Sequence, residues 1–143
     1  MSPSMPAPVE LIKRIPLFED LSKRELDRLA KSFKESSFDA GAEIATEGKS
    51  GVGFFVIGEG HVVYSVDGKE VGRGSPGDFF GEIALIDDGP RSATVTAATD
   101  VTAYGLTSWE FKPLVEENGS IGWELLQAMA KRLREVQRRE AAG

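Results

Sequence analysis

The sequence contains no cysteine and only one histidine, His61, and these shortages exclude several kinds of chemistry. Without cysteine there is no disulfide and no thiolate nucleophile, which fits the reducing cytoplasm where we expect the protein to reside. One imidazole with scattered carboxylates cannot form the usual two- or three-histidine metal site. We therefore expect no metal, no cofactor and no catalytic residues.

The sequence also lacks a long hydrophobic run and an excess of positive charge. No stretch approaches the roughly 20 apolar residues that a membrane-spanning helix needs, so we expect no membrane partner. The formal net charge is −6, whereas a nucleic-acid-binding protein normally has a basic surface, so we expect no DNA binding. Basic residues are concentrated only at 131–139, where the end of a helix favours cations.

At 143 residues, with 41% hydrophobic and 28% charged residues, the composition is that of one globular domain. Residues 1–8 contain three prolines and no apolar core, which predicts a disordered tail, with the domain covering 9–143.

Asn118-Gly119 interrupts the later helical region, and Ser120 is positioned to cap the helix after it.

Several helices have clear sequence signals. Ser22 with Glu25, and Thr107 with Glu110, each have the spacing of a capping box. After residue 120 an apolar stripe predicts a helix of about twenty residues that must be covered by the domain, by a second copy of the chain, or by both. The stripe consists of Ile121, Leu125, Met129, Leu133 and Val136.

Between about residues 34 and 107 the pattern changes to short apolar runs separated by glycines. Asp67-Gly68 between two such runs is a strong signal for a two-residue hairpin. Many short strands at this spacing favour a sandwich or a barrel. The predicted strands include Phe54–Ile57, Lys69–Gly74, Ser92–Ala97 and Val101–Leu106.

The segment Phe79–Val95, with the sequence FFGEIALIDDGPRSATV, carries the most chemical information. Gly81 opens a short turn whose first backbone N–H groups could bind an anion. Arg91 comes later in the segment, and a guanidinium is the side chain best suited to hold two phosphate oxygens. Glu82 would repel a phosphate alone, but it can accept a hydrogen bond from a sugar hydroxyl, so together these residues indicate a nucleotide.

This segment resembles the phosphate-binding cassette of the cyclic nucleotide-binding domain family. The resemblance implies that Glu82 accepts from the ribose 2′-hydroxyl and that Arg91 pairs with the cyclic phosphate. It also implies that the backbone comes close to the ligand at Gly81 and Ala84, with Ile83 in the same turn. Further ligand-binding positions implied by the resemblance are Ser92 and Ala93 in the cradle, and Val71 and Val95 beside the base.

The resemblance covers about Val9 to Arg139 and implies a β jelly roll, or double-stranded β-helix, at about 34–107. A short N-terminal helical segment would precede it, and a C-terminal helix pair would come after it at about 108–140. The expected function is a regulatory sensor for a cyclic nucleotide, with cAMP first and cGMP second. The resemblance also suggests a homodimer through the last helix and an unidentified effector protein.

Two alternatives from other classes remain. A jelly roll can host a metal-dependent enzyme, but the single histidine argues against it, and no G-x-S-x-G serine motif is present. The chain could instead be a nucleotide-free interaction module that dimerises through residues 120–140. Glu82, Asp87 and Asp88, which place negative charge near the expected phosphate, mildly favour that second alternative. However, Asp87-Asp88-Gly89-Pro90 has the composition of a turn, which predicts that the aspartates point outward to water.

Overall fold

The computed structural model describes residues 7–18, 20–48, 53–81, 85, 87 and 91–142. Helices lie at both ends of this chain, and β-strands lie between them. The helices are α1 (Val9–Lys13), a 3-10 turn (Pro16–Phe18), α2 (Lys23–Ser32), α3 (Ser108–Glu117) and α4 (Gly119–Ala142). The strands are β1 (Lys34–Phe38), β2 (Glu43–Ala45), β3 (Phe54–Glu59), β4 (Val62–Val66), β5 (Lys69–Gly74), β6 (Phe79–Phe80), β7 (Thr94–Ala97) and β8 (Val101–Leu106).

The strands form two four-stranded antiparallel sheets that face each other. Sheet 1 has the order β1-β8-β3-β6, and sheet 2 has the order β2-β7-β4-β5. Neighbouring strands are often distant in sequence, as in a roll in which the chain passes between two sheets. The predicted mainly-β roll with flanking helices is confirmed.

The tight turn between β4 and β5 shows how local sequence sets this topology. Asp67 has φ 52° and Gly68 has φ 78°, and two successive positive values match the twist of a two-residue hairpin. The register then pairs Val62 with Gly74 and Tyr64 with Gly72. The hairpin predicted at Asp67-Gly68 is therefore present.

Two apolar clusters hold the fold together, one on each face of β3. Phe54 is fully buried against the helices, with the rings of Phe18 and Phe33 at centroid distances of 6.0 and 5.9 Å. The other cluster fills the space between the sheets and is called the roll interior. Its buried members are Ile57, Val62, Val95, Ala97, Val101 and Ala103.

Both predicted capping boxes are present, whereas the cap predicted at Ser120 is wrong. Helix α4 begins at Gly119, and the Asn118 carbonyl accepts a hydrogen bond from the Ile121 N–H at 2.9 Å. Ser120 therefore lies inside the first turn, where its hydroxyl donates to the Glu25 carboxylate of α2. The Ser120 hydroxyl therefore bonds to a residue that is distant in sequence rather than to the backbone of its own helix.

Ala7 is ordered, although the sequence predicts that it belongs to a disordered tail. It is buried, and its N–H donates to the Ala30 carbonyl at 3.3 Å.

The apolar stripe of α4 is only partly covered by the domain: it is buried at Ile121 and Leu125 but 59% exposed at Leu133. Within the described ranges no helix, α4 included, is long and apolar enough to cross a membrane.

Candidate functional site

Arg91 lies just before β7, and its half-buried side chain points towards the body of the protein. Its Nη2 donates a hydrogen bond to the Gly53 carbonyl just before β3. Its own carbonyl accepts from the Gly48 N–H at 2.9 Å. Because both its backbone and its side chain are held, the guanidinium has a fixed position.

Gly81 lies directly against this guanidinium. Its φ is +83°, and a Cβ built there would collide with Nη1 of Arg91 and would lie 2.8 Å from the Gly53 oxygen. A side chain at position 81 would therefore be strained by the backbone and would also displace the cation. The structure thus brings Gly81 and Arg91 together, as the sequence interpretation required.

The loop before β3 is fastened to the same region by polar contacts. The Glu47 N–H donates to the Thr94 hydroxyl at 3.0 Å, at the start of β7. The Glu47 carboxylate in turn accepts from the Asp67 N–H in the β4–β5 turn at 3.0 Å. Arg91 therefore lies where β7, the 46–48 loop and the end of β6 meet.

The remaining site positions from the sequence do not all share one environment. Ser92 is exposed and Ala93 half-buried, both ahead of β7. Val95 is buried in the roll interior, whereas Val71 is 63% exposed at a bulge in β5. Since β4 separates the strands of Val95 and Val71, the structure does not bring those two together. Glu82, Ile83 and Ala84 lie outside the described residues.

The profile of the cyclic nucleotide-binding domain family matches residues 35–118, which cover β1 through α3 and include Gly81 and Arg91. The chain belongs to that family.

Curated relatives share this domain within longer chains. A cAMP-dependent protein kinase regulatory subunit of Colletotrichum orbiculare is 36% identical over 108 residues, covering 74% of this chain and 28% of the relative. A cyclic nucleotide-gated potassium channel of Rhizobium etli is 37% identical over 112 residues, covering 78% and 31%. The chain thus spans less than a third of the length of these relatives.

Solved structures confirm the fold of the cyclic nucleotide-binding domain. The N-terminal domain of a Streptomyces coelicolor transcriptional regulator matches with TM-score 0.85 and 29% identity, covering 91% of this chain and 94% of that one. Thermus thermophilus catabolite activator protein matches with TM-score 0.72 and 26% identity, covering 89% and 62%. The cAMP-bound PfPKA-R matches with TM-score 0.67 and 29% identity, covering 90% and 46%.

Leu85 connects the Phe79–Val95 segment to the helical cluster, a contact that sequence reasoning did not assign. It is 5% exposed and belongs to the buried cluster that contains Phe111 and Leu125. It also lines a groove of about 850 Å³ between α3 and α4, together with Trp109 and Trp123. This groove is mainly apolar, so it does not suit a phosphate.

Three aromatic rings in the roll interior were also missed as candidates. Phe80, the residue before Gly81, stacks on Phe55 with centroids 5.5 Å apart, and its ring meets the Tyr64 ring at 6.1 Å. The sequence did contain a signal, because Val62, Tyr64 and Val66 alternate along β4 and must share a face. That pattern alone could not show that the face lies near Arg91.

Glu110 and Glu25 are two carboxylates that cap the N-terminal ends of α3 and α2. Burial would raise the pKa of Glu110, but hydrogen bonds from Thr107 and the nearby Lys34 ammonium lower it overall. The Ser120 hydroxyl and the Ser22 N–H lower the pKa of Glu25. In the part of the chain that the structure describes, no group of three His, Cys, Asp or Glu side chains could hold a metal ion.

Proposed function

We propose that this domain binds cAMP, with cGMP as the second candidate, and acts as a sensor rather than as a catalyst. The observation that carries the proposal is the fixed guanidinium of Arg91 against the backbone of Gly81. A phosphate seated there would meet a cation whose position is already set, so little side-chain entropy is lost on binding.

The binding geometry depends on the groups that surround the guanidinium. Arg91 would pair with the two exocyclic phosphate oxygens, because its fork matches that spacing. The missing side chain at Gly81 leaves the backbone close to the ligand, and the amides of Ser92 and Ala93 would supply further donors. From the family resemblance, Glu82 would accept from the ribose 2′-hydroxyl, with Ile83 and Ala84 beside it.

The preference for cAMP is supported by two kinds of observation. Several curated relatives are named as cAMP-dependent kinase regulatory subunits, and PfPKA-R was solved with cAMP bound. Ser92, directly after the arginine, resembles the catabolite activator at this position. Its hydroxyl could also contact a guanine, and for that reason cGMP is kept as the second ligand.

Calorimetric titration of purified protein with cAMP and cGMP tests the proposal directly. Arg91→Ala should weaken binding at least about tenfold, because a hydrogen bond to a charged group contributes about 1.5–3 kcal/mol. Arg73→Ala is the matched control, since Arg73 is 71% exposed and pairs with Glu70 on β5. No heat from either nucleotide in the wild type, or unchanged affinity in Arg91→Ala, would contradict the assigned site.

Sensing requires that the ligand favour one arrangement of the helices, and Leu85 offers a physical route. It comes directly after the expected ligand-binding turn and packs between α3 and α4, so displacement of that turn would disturb both helices. The ligand can shift this equilibrium only by its difference in affinity for the two arrangements.

The same proteins test the sensor role by hydrogen exchange. Addition of cAMP should change protection in residues 108–140 of the wild type, and Arg91→Ala at the same nucleotide concentration should show a much smaller change. Identical exchange with and without bound cAMP would mean that the domain binds the nucleotide but does not signal through these helices.

A homodimer through α4 is a second, separate proposal. Along the outer part of the helix, Leu126, Leu133 and Val136 are 63%, 59% and 48% exposed. With half-buried Met129 they have the alternating three- and four-residue spacing of a two-helix seam. A second copy of α4 is the partner that this self-matching spacing fits best, because such a seam is complementary to itself.

A further inference from the structure

Basic side chains are concentrated on the outer side of α2, although the chain as a whole has a net charge of −6. Four exposed cations and one half-buried carboxylate line a shallow groove of about 550 Å³ along this helix. This surface, called the basic face of α2, consists of Lys23, Arg24, Asp27, Arg28 and Lys31. It is locally positive because the cations outnumber the carboxylate.

The fold does not use the charges of this face. In the described part of the chain the ion pairs lie elsewhere, on β1, β5 and α3. The helix is anchored instead by its opposite side, where Leu26, Leu29 and Ala30 are buried. The four cations are therefore exposed to solvent on a helix whose position is set by apolar packing.

Arg28 has a fixed position within this face. Its Nη1 donates to Oδ1 of Asn118 at 3.1 Å, and Nδ2 of Asn118 donates to the Leu114 carbonyl at 2.9 Å. Asn118 is the single residue between α3 and α4. Because a guanidinium has five N–H donors, one bond to an amide leaves others for a carboxylate. A partner held at Arg28 would thus lie beside the junction of these two helices.

The neighbouring carboxylates set the direction in which a partner would lie. On the other side of Arg28 a second groove, of about 530 Å³, is lined by Glu25 and Glu117. An anionic partner would be repelled there, so it would follow α2 rather than cross towards α3. Residues 23–31 rise about 12 Å along the helix axis, which is the length of about four extended residues.

The chemistry of this face favours an acidic polypeptide over other anions. Cations spread along two turns match a series of carboxylates better than they match one phosphate. A membrane surface would need exposed apolar side chains to insert, whereas the apolar residues of α2 are buried. A nucleic acid is a long polyanion, and the net negative charge of the protein would oppose it.

We infer that the basic face of α2 is a docking surface for an acidic segment of a partner protein. Arg24 and Arg28 lie one turn apart, so each guanidinium fork would hold one of two successive carboxylates. Single exposed ion pairs contribute little, so several must form together, and that requirement selects a run of Asp or Glu. The surface does not include Arg91, and the inference does not depend on the nucleotide binding proposed above.

The test uses the whole chain and a fluorescent octaglutamate peptide, with octaglutamine as the uncharged control. Anisotropy should show binding of octaglutamate alone, and that binding should weaken as salt is added. The double variant Arg24→Gln, Lys31→Gln should raise the dissociation constant at least about fivefold. Both positions are exposed and glutamine is a good helix former, so α2 should be retained.

The double variant Arg134→Gln, Arg138→Gln is the matched control, because it removes the same charge from exposed positions on α4. It should keep the wild-type affinity for octaglutamate. An equal loss in both double variants would show that net charge explains the binding, and would overturn the inference. Wild-type protein that does not bind octaglutamate would overturn it as well.

Nuclear magnetic resonance of the wild type locates the peptide without any variant. Octaglutamate should shift the backbone signals of residues 23–31 and the side-chain amide signal of Asn118, which accepts from Arg28. Asn118 is the only asparagine in the sequence, so its side-chain signal can be assigned directly. Shifts confined to α4 would contradict docking on α2.

Other occupants of the basic face are separate outcomes of the same comparison. Phosphatidylserine vesicles and a single-stranded DNA oligonucleotide replace octaglutamate in turn, and sedimentation measures self-association. The variant Arg24→Gln, Lys31→Gln should lose affinity for octaglutamate and should self-associate like the wild type. If it lost only vesicle binding, DNA binding or self-association, that occupant would replace the acidic partner.

Discussion

At the scale of single residues, Arg91 and Gly81 depend on each other. The guanidinium can lie where it does only because position 81 has no side chain, and the positive φ at Gly81 keeps the chain close to it. The Gly53 carbonyl, which accepts a hydrogen bond from the guanidinium, also holds Arg91 in this position. Arg91 is therefore a cation in a fixed position within a protein that as a whole is acidic.

Gly81→Ala should therefore have two separable effects. The left-handed backbone should cost about 1–2 kcal/mol of folding free energy. The new methyl group should also push the Arg91 guanidinium aside and weaken cAMP binding more than about tenfold. Chemical denaturation and calorimetric titration measure the two effects.

Gly68→Ala provides the control for the backbone effect alone. Gly68 has φ +78°, and a Cβ there would have nothing within 4 Å. This variant should lose similar stability and keep its affinity. An equal loss of affinity in both variants would show that strain, rather than contact with Arg91, explains the result.

At the scale of elements, carboxylates that cap helices also join those helices to elements distant in sequence. Glu110 completes the capping box of α3, accepts from the Thr107 hydroxyl at 2.6 Å, and pairs with Lys34 of β1 at 3.3 Å. Glu25 caps α2 in the same way and also accepts from Ser120 of α4. One carboxylate thus serves a local turn and a long-range contact at once.

The lowered pKa of Glu110 predicts a pH dependence of stability. A carboxyl group whose pKa is depressed by folding stabilises the protein above its unfolded pKa of about 4.3, and this contribution is lost as pH falls through the folded value. Glu110→Gln should therefore be less stable than the wild type near neutral pH. The gap in melting temperature should narrow in acid.

Glu116→Gln on the same helix serves as the control for this comparison. Its carboxylate is 64% exposed and lies 4.0 Å from Lys112, and such exposed pairs contribute little to stability. Its melting temperature should match that of the wild type near neutral pH. A constant gap between Glu110→Gln and the wild type down to strong acid would contradict the assignment.

At the scale of the whole molecule, helix α4 belongs only partly to the domain. Its own residues Ile121 and Leu125 are buried, whereas its outer half carries exposed apolar and basic side chains. Burial of the inner half fixes the direction of the helix. The outer half is thereby left with its apolar side chains exposed.

Leu133→Gln tests the proposal that a second copy of α4 covers these side chains. Wild-type protein should show concentration-dependent dimerisation in sedimentation experiments. Leu133→Gln should raise the dissociation constant of the dimer by about tenfold or more. Arg134→Gln, the neighbouring exposed position, should sediment like the wild type. A wild type that stays monomeric at its highest soluble concentration would contradict the dimer.

Much of this protein can be predicted from short-range sequence chemistry. The two capping boxes, the Asp67-Gly68 hairpin and the alternating strands involve residues a few positions apart, so local propensity and pattern are sufficient to predict them. The pairing of a glycine turn with an arginine ten residues later indicated a phosphate site through the same kind of local chemistry. These features are properties of the sequence by itself.

Other features were decided only by tertiary structure, because they depend on residues that are distant in sequence. Ser120 bonds to Glu25 rather than capping α4, since folding brings α2 against that corner. The Gly53 carbonyl meets Arg91, and Tyr64 meets Phe80, only once the two sheets face each other. The sequence determined which side chains could bind an anion, and the packing of the roll determined which backbone groups lie against Arg91.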